Sequence, residues 1–303
     1  MGRSVEIEAP AKVNLFLEVL RKRPDGYHDL ESVLETISLV DRVSVRLTRG
    51  RGIHLVCNRS DLENDDNLAV RAARAFNAAA GLEGGVEISL GKEIPVQGGL
   101  GGGSSDAAAV LVALNELTDH ALGAGPLAAV AADLGSDVPF FLYGGTARVT
   151  GRGEEVVPLD ARGGFTYLIY YPGFGISTAQ VYKNLGLKLT YNLRSDKVLC
   201  AKLREGDLET ASKCFFNRLE ETAFALDGRL ATAKAQMQRC AGDSDVVLCG
   251  SGSCLFSAFT DADRAQGAYK QLRGYGAGEV FLARTIRGSG STGSAKGVER
   301  GDL

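Results

Sequence analysis

Apolar residues recur along this chain with two periods, and the switching between them predicts its elements. Period-two runs at residues 5–7, 13–19, 33–39, 42–47 and 53–57 read as strands; in 42–47, Val43, Val45 and Leu47 alternate with Ser44 and Arg46, and with 33–39 this run reads as a strand pair. Helical spacing follows at 66–79, where Leu68, Ala69, Ala72, Ala73 and Phe76 share one face and Gly81 marks the stop. A strand at 86–90 leads into a glycine-rich stretch. Behind it, a helix from Ser104 or Ser105 to Leu117 is apolar on all sides and so reads as buried, and another covers 126–134. Residues 138–143 and 146–150 read as extended with Gly144-Gly145 as their turn, and 156–159 follows.

Residues 161–164 are the best boundary between two units. Beyond them come a strand at 165–171, a helix at 178–185, a long helix at 218–239, a hairpin of 246–248 with 254–259 around Gly250-Ser251-Gly252-Ser253, a helix at 262–272 and a strand at 280–283. This order predicts an α+β sandwich over 163–286 after an N-terminal α/β domain over 1–162. From residue 287 to 303 the chain is Gly, Ser and charge, and reads as disordered.

Composition removes several function classes. With 34 Lys+Arg against 37 Asp+Glu and no basic run, nothing marks a nucleic-acid surface. Six scattered cysteines form no C-x-x-C pair, and three histidines have no metal-ligand spacing, so neither a disulfide framework nor a protein metal site is expected, and a reducing cytoplasm suits the thiols. The uncharged stretch 163–182 contains Pro172 and several glycines and does not read as a membrane span.

The chemistry concentrates in Pro95-Val96-Gln97-Gly98-Gly99-Leu100-Gly101-Gly102-Gly103-Ser104-Ser105-Asp106. Glycines let backbone N–H groups approach a ligand, and a helix start adds unpaired N–H groups and a positive dipole end, which together suit a polyphosphate. A Walker loop would need a lysine after Gly103, and a dinucleotide fingerprint would need a glycine at Ser104. Without a loop lysine, Mg²⁺ is expected to be essential. Three further segments stand out. In Ala11-Lys12-Val13-Asn14-Leu15, period-two spacing puts Lys12 and Asn14 on one face. In Gly135-Ser136-Asp137-Val138-Pro139-Phe140, a carboxylate beside aromatic residues is a candidate base, or closes a turn. In Asp25-Gly26-Tyr27-His28, a ring and an imidazole stand side by side after a turn, a pairing suited to stacking on a base and contacting its edge.

P-x-x-x-G-L-G-x-G-S-S-x-A-A resembles the phosphate loop of the galactokinase, homoserine kinase, mevalonate kinase and phosphomevalonate kinase (GHMP) superfamily. With Ala9-Pro10-Ala11-Lys12-Val13-Asn14, Asp25-Gly26-Tyr27-His28, Asp66-Asn67-Leu68-Ala69, Gly135-Ser136-Asp137 and Gly250-Ser251-Gly252-Ser253-Cys254 in order, the chain is similar, over roughly residues 5–286, to the branch that acts on a cytidine diphosphate-linked methylerythritol. The resemblance implies a two-domain GHMP architecture with a mixed N-terminal sheet and a ferredoxin-like C-terminal sandwich. It implies ATP with Mg²⁺, a small-molecule cytidine diphosphate substrate, and a monomer or weak homodimer. Asp137 matches the base that takes the acceptor's proton, and Lys12 the residue that keeps that carboxylate ionised and orients the hydroxyl. Pro95, Gly98, Gly99, Leu100, Gly101, Gly102, Gly103, Ser104 and Ser105 match the ATP phosphate cradle, with Asn67 a candidate for the purine. Asn14, Tyr27, His28 and Tyr182 match acceptor contacts, with the cytosine between two rings. Gly250 and Ser251 match a third motif that closes the site. Asp106 reads as a helix cap in preference to a metal contact. Another small-molecule kinase of the superfamily, or a silent nucleotide or metabolite sensor, are the alternatives.

Overall fold

The computed structural model describes residues 3–186, 194–276 and 278–288. Its first two strands are longer than the polar interruptions in the sequence suggest. β1 (Ser4–Lys22) and β2 (His28–Thr48) each run unbroken and pair antiparallel along almost their whole length, with a register shift between Pro10 and Ala11. This corrects the expectation of separate runs at 5–7 and 13–19 and of a pair at 33–39 and 42–47. For β2 the reason is Asp41. Its Oδ1 accepts the backbone N–H groups of Glu93 (2.6 Å) and Ile94 (2.9 Å), so this carboxylate is a buried strand residue with internal partners and not a turn.

The remaining N-terminal elements are β3 (Ile53–Cys57), α1 (Leu68–Ala80), β4 (Gly85–Gly91), α2 (Gly102–Leu117), α3 (Ala124–Leu134), α4 (Val138–Tyr143), β5 (Thr146–Thr150) and β6 (Glu155–Pro158). Two starts differ from expectation. α2 begins before the serines: Gly101, left-handed at φ 74°, is its N-cap, so Ser104 and Ser105 lie inside the first turn and cap nothing. Residues 138–143 are helical, not extended, because Pro139 in the first turn needs no N–H partner there and pre-sets its φ. Six residues are also too few to display a helical period.

The second half contributes β7 (Thr166–Tyr171), α5 (Thr178–Asn184), α6 (Lys197–Glu205), α7 (Leu208–Ser212), β8 (Phe216–Asn217), α8 (Glu220–Leu226), α9 (Arg229–Ala241), β9 (Val246–Leu248), β10 (Leu255–Phe259), α10 (Ala262–Arg273) and β11 (Glu279–Arg284). The expected single helix at 218–239 is two, because Asp227 turns the chain by accepting the N–H of Arg229 at 3.0 Å ahead of Gly228. Helices α6 and α7 had no counterpart in the pattern reading.

Among the described residues, β7, β9, β10 and β11 form an antiparallel sheet in the order β11-β7-β10-β9, the ferredoxin-like arrangement. The larger sheet runs β3-β4-β2-β1-β8, with β5 pairing β2 and β6. β4 takes the C-terminal half of β2 and β5 its N-terminal half, so one long strand carries both wings. Through β8, which pairs parallel with β1, the second half also reaches into the first sheet. Helices α1 and α2 cover one face, packing Phe76, Val110, Leu111 and Leu114 on Val43, Val45, Ile88 and Leu90. Val13 and Leu15 of β1 point the other way, into a cluster with Tyr167, Ile169 and Phe256 of the second sheet. Burying those odd positions leaves Lys12 and Asn14 on the opposite face. Of the stretch read as disordered, residues 289–303 lie outside the described residues, whereas Gly288 packs against Gly144 and Gly145. No helix among the described residues is long and apolar enough to cross a membrane.

Candidate active site

The glycine loop is pinned from three sides. The Lys12 backbone N–H donates to Leu100 O at 2.9 Å, the Cys254 N–H to Gly98 O at 3.0 Å, and the Cys249 thiol to Gly99 O at 3.3 Å. Gly99 and Gly101 have φ of 78° and 74°, and a Cβ on Gly101 would lie 2.9 Å from the Phe141 ring and 3.1 Å from Lys12 Cγ. The two strands β9 and β10 bring Gly250 beside this loop: a Cβ there would lie 3.3 Å from Lys12 Nζ. Asn217 of β8 holds that turn by donating to Leu248 O and Gly250 O, both at 2.7 Å, and Ser251 Oγ bonds Thr178 Oγ1 at 2.7 Å.

Beside the loop Lys12 is 3% exposed, and its ammonium finds three oxygens. It donates to Asn14 Oδ1 at 2.7 Å and Gly99 O at 2.9 Å, and pairs with Asp137 Oδ2 at 3.6 Å. Asn14 in turn donates to Ser32 Oγ at 3.1 Å. Asp137 stands just before α4 and makes no capping bond; its side chain is 39% exposed and open to the cleft. Two residues from parts of the chain 125 positions apart thus meet at one lip of a glycine ribbon (137 − 12).

These groups line a cleft of about 980 Å³. One end has aromatic character: the His28 and Tyr182 rings lie 5.2 Å apart at 32°, and Tyr27 is 52% exposed beneath the Arg152 guanidinium. Burial, and then the charge of Lys22, lowers the His28 pKa, so its imidazole is neutral at neutral pH and offers one donor and one acceptor. Burial, with the Asp137 charge adding, pushes the Tyr182 phenol up. The other end is walled by Leu62, Leu68, Pro95 and Val96.

Two residues assigned to the nucleotide differ in placement from the rest of the cradle. Asn67 lines the cleft, but its side chain caps α1, accepting from Ala69 N at 2.9 Å and donating to Leu62 O at 2.9 Å. Ser105 is buried outside the cleft lining, its Oγ without a hydrogen-bond partner among the described residues, whereas Ser104 faces the cleft.

Sequence reasoning missed Lys92. Its ammonium, under the start of α2, pairs with both Asp41 and Asp106, at 2.7 Å to Asp106 Oδ2. Asp106 is therefore the partner of a buried lysine and not a helix cap. The signal was a charged residue inside an apolar strand, Asp41, which reads as a break unless a partner is known. Burial would lower Lys92, but the charges of Asp106 and Asp41 outweigh it and raise its pKa. Asp106 is pushed up to about 7, first by burial, with Lys92 opposing and Asp41 adding. An acid whose folded pKa exceeds its unfolded one favours the fold at low pH, and that contribution is lost as pH rises through the folded value. Asp106→Asn is accordingly expected to flatten the fall in melting temperature between about pH 4 and pH 7, the interval from the ordinary carboxyl value to the raised one. A variant that keeps the wild-type slope would place that dependence elsewhere.

A glycine ribbon at a helix start, a lysine–aspartate pair at its lip and a long two-ended cleft are the parts of a small-molecule kinase. The models "GHMP kinases N terminal domain" and "GHMP kinases C terminal" match residues 67–145 and 199–278. The 4-diphosphocytidyl-2-C-methyl-D-erythritol kinase of Shouchella clausii is 39% identical over 94% of this chain and 95% of its own length, and that of Geobacillus thermodenitrificans 39% over 93% and 97%. A crystal structure of 4-(cytidine 5'-diphospho)-2C-methyl-D-erythritol kinase superposes with a TM-score of 0.78 at 35% identity, covering 94% of this chain and all of that one. The chain belongs to the 4-diphosphocytidyl-2-C-methyl-D-erythritol kinase family of GHMP kinases. The homoserine kinase of Cytophaga hutchinsonii, at a TM-score of 0.74 and 19% identity over 96% of each chain, shares the fold.

Proposed function

We propose that this chain transfers the γ-phosphoryl group of ATP to the 2-hydroxyl of 4-diphosphocytidyl-2-C-methyl-D-erythritol, a step of non-mevalonate isoprenoid precursor synthesis. The observation that carries the reading is the Lys12–Asp137 pair, 3.6 Å apart beside the glycine loop, on the same cleft as His28 and Tyr182. Phosphoryl transfer asks for alignment and charge neutralisation more than for covalent chemistry. Asp137 accepts the acceptor's proton as the bond to phosphorus forms. Lys12, held by Asn14 and the Gly99 carbonyl, orients the hydroxyl between them. Backbone N–H groups of Gly101 to Ser104 and the start of α2 face the phosphates. The cytosine lies at the aromatic end, with Tyr27 and Tyr182 as stacking surfaces and His28 on its edge, while the purine occupies the end walled by Leu62, Leu68, Pro95 and Val96.

Among the described residues no cluster of His, Cys, Asp and Glu is set to hold a metal. The Ser104 hydroxyl, which faces the cleft, would be the side-chain group that the loop offers to a Mg²⁺ carried by the nucleotide, and that ion would supply neutralisation of the phosphate charge. Within this reading residues 1–162 form the domain that carries the phosphate loop, 163–286 the domain that closes it, and the chain works in the cytoplasm as a monomer or weak homodimer.

A phosphorylation screen that compares the cytidine diphosphate-linked methylerythritol with homoserine and mevalonate tests the assignment. Turnover of either alternative in preference to the cytidine substrate would overturn it, and no ATP turnover with any of them would point to a sensor. His28→Ala should raise the acceptor KM about tenfold, the cost of one or two hydrogen bonds, and leave the KM for ATP nearly unchanged. Equal loss on both substrates would make His28 a structural residue.

A further inference from the structure

The acceptor reading above leaves one demand unmet by the residues named so far. A diphosphate must cross from the aromatic end of the cleft to the Lys12–Asp137 pair, and it carries negative charge the whole way. Lys12 is already committed to Asn14, Gly99 and Asp137. Cations at that end come from elsewhere: Lys22, Arg152 and Lys183 all line the cleft.

Arg152 has the bridging position. It lies in the turn between β5 and β6, and the neighbours of that turn are fixed. Leu30 N donates to Gly151 O at 2.8 Å, which ties the turn to the strand that starts at His28. A Cβ on Gly153 would lie 3.0 Å from Ser136 Cβ, which places the turn against the residue before Asp137. The Arg152 guanidinium carbon sits 5.1 Å from the centre of the Tyr27 ring. Arg152 therefore stands at the base platform, in a turn whose next residue packs against Ser136, the neighbour of Asp137. Its position is set by a bond from Nη2 to Ala132 O at 3.1 Å and a pairing of Nε with Glu154 Oε1 at 3.6 Å. Nη1 has no hydrogen-bond partner among the described residues. A planar fork held at one edge and free at the other suits phosphate oxygens.

We propose that Arg152 is a specificity-determining residue that binds the diphosphate of the acceptor and holds Tyr27 against its base. This rests on the acceptor assignment made above, and it adds the residue that distinguishes a nucleoside diphosphate from a bare nucleoside or a small alcohol.

The test measures binding of CDP and of cytidine by calorimetry, with a non-hydrolysable ATP analogue saturating the nucleotide end, for the wild type, Arg152→Ala and Arg152→Lys. Kinetics with the full acceptor run alongside. Arg152→Ala should weaken CDP binding roughly 10–100-fold, the size of a charge-assisted hydrogen bond, and cytidine binding only a few-fold. The acceptor KM should rise in parallel, the KM for ATP should hold within about twofold, and Arg152→Lys should recover part of the loss, since a point charge replaces a fork. Raising salt should narrow the gap between CDP and cytidine in the wild type more than in Arg152→Ala. An equal loss for CDP and cytidine in Arg152→Ala would reduce Arg152 to a support for Tyr27 and overturn the proposal. Unchanged CDP binding would overturn it as well, with the acceptor assignment intact. A wild type that binds CDP no more tightly than cytidine would overturn both.

Discussion

Asp137→Asn will lower kcat by roughly 10²–10⁴-fold, the range that a positioned general base contributes, while the KM values for both substrates change little. The substitution is close to isosteric, and the site is built so that the loss reads as chemistry. Asp137 makes no capping bond to α4, so the helix keeps its start. Lys12 keeps two oxygen partners, Asn14 Oδ1 at 2.7 Å and Gly99 O at 2.9 Å, so its ammonium is not left bare in a buried position. The 3.6 Å pairing with a carboxylate that is 39% exposed is a modest contribution to stability. The variant should therefore melt near the wild type and bind the acceptor. What it lacks is a group that can take the hydroxyl proton. Single-turnover kinetics under saturating substrates, with circular dichroism as the check on folding, make the measurement. A folded variant with near-normal turnover would remove Asp137 from the role of base.

Much of this site was legible because its chemistry is written in short local strings. The glycine run, the Lys12–Asn14 alternation and the Tyr27-His28 pair each state their local geometry, and β1 delivers Lys12 and Asn14 to one face as a period of two requires. The Gly250-Ser251-Gly252-Ser253 turn likewise sits between two antiparallel strands where the pattern put it. What the sequence hid were features decided by partners far along the chain. Asp41 looks like a turn until Lys92 and the N–H groups of Glu93 and Ile94 are known to receive it. Residues 138–143 look extended because six apolar and aromatic side chains carry no period, and a proline tips the balance toward a first helical turn. The start of α2 was misplaced because good capping residues lay two and three positions inside, whereas a left-handed glycine had already ended the loop. At Asp41 tertiary context overrode a sound local preference, whereas at the other two a single residue, a proline and a left-handed glycine, outweighed the pattern around it.

Gly99→Ala carries the other large effect, and it follows from how the loop is held. At φ 78° an alanine is strained by about 1–2 kcal/mol before any contact is considered. Its Cβ would also press into the Cys249 carbonyl, with the Gly252 nitrogen only 3.1 Å away. Neither neighbour is a flexible side chain. Both belong to the turn that Asn217 fastens through Leu248 O and Gly250 O. The loop must move instead, and its anchors go with it: Lys12 Nζ and the Cys249 thiol both donate to Gly99 O. Strain and overpacking together should cost about 3–5 kcal/mol and lower the melting temperature by on the order of 10 °C. Turnover should fall by at least roughly 10²-fold, because displacing phosphate-facing amides and Lys12 by about an ångström spoils alignment. Gly103→Ala is the internal comparison. Gly103 is helical, and the nearest atom to an added Cβ is Leu68 Cδ1 at 3.6 Å, an ordinary contact. That variant should melt at or above the wild-type temperature, since alanine suits a helix better than glycine by about 1 kcal/mol. If Gly99→Ala matched Gly103→Ala in both melting and turnover, the loop would not be clamped between β1 and the β9–β10 turn, and the geometry argued for phosphate binding would fail with it.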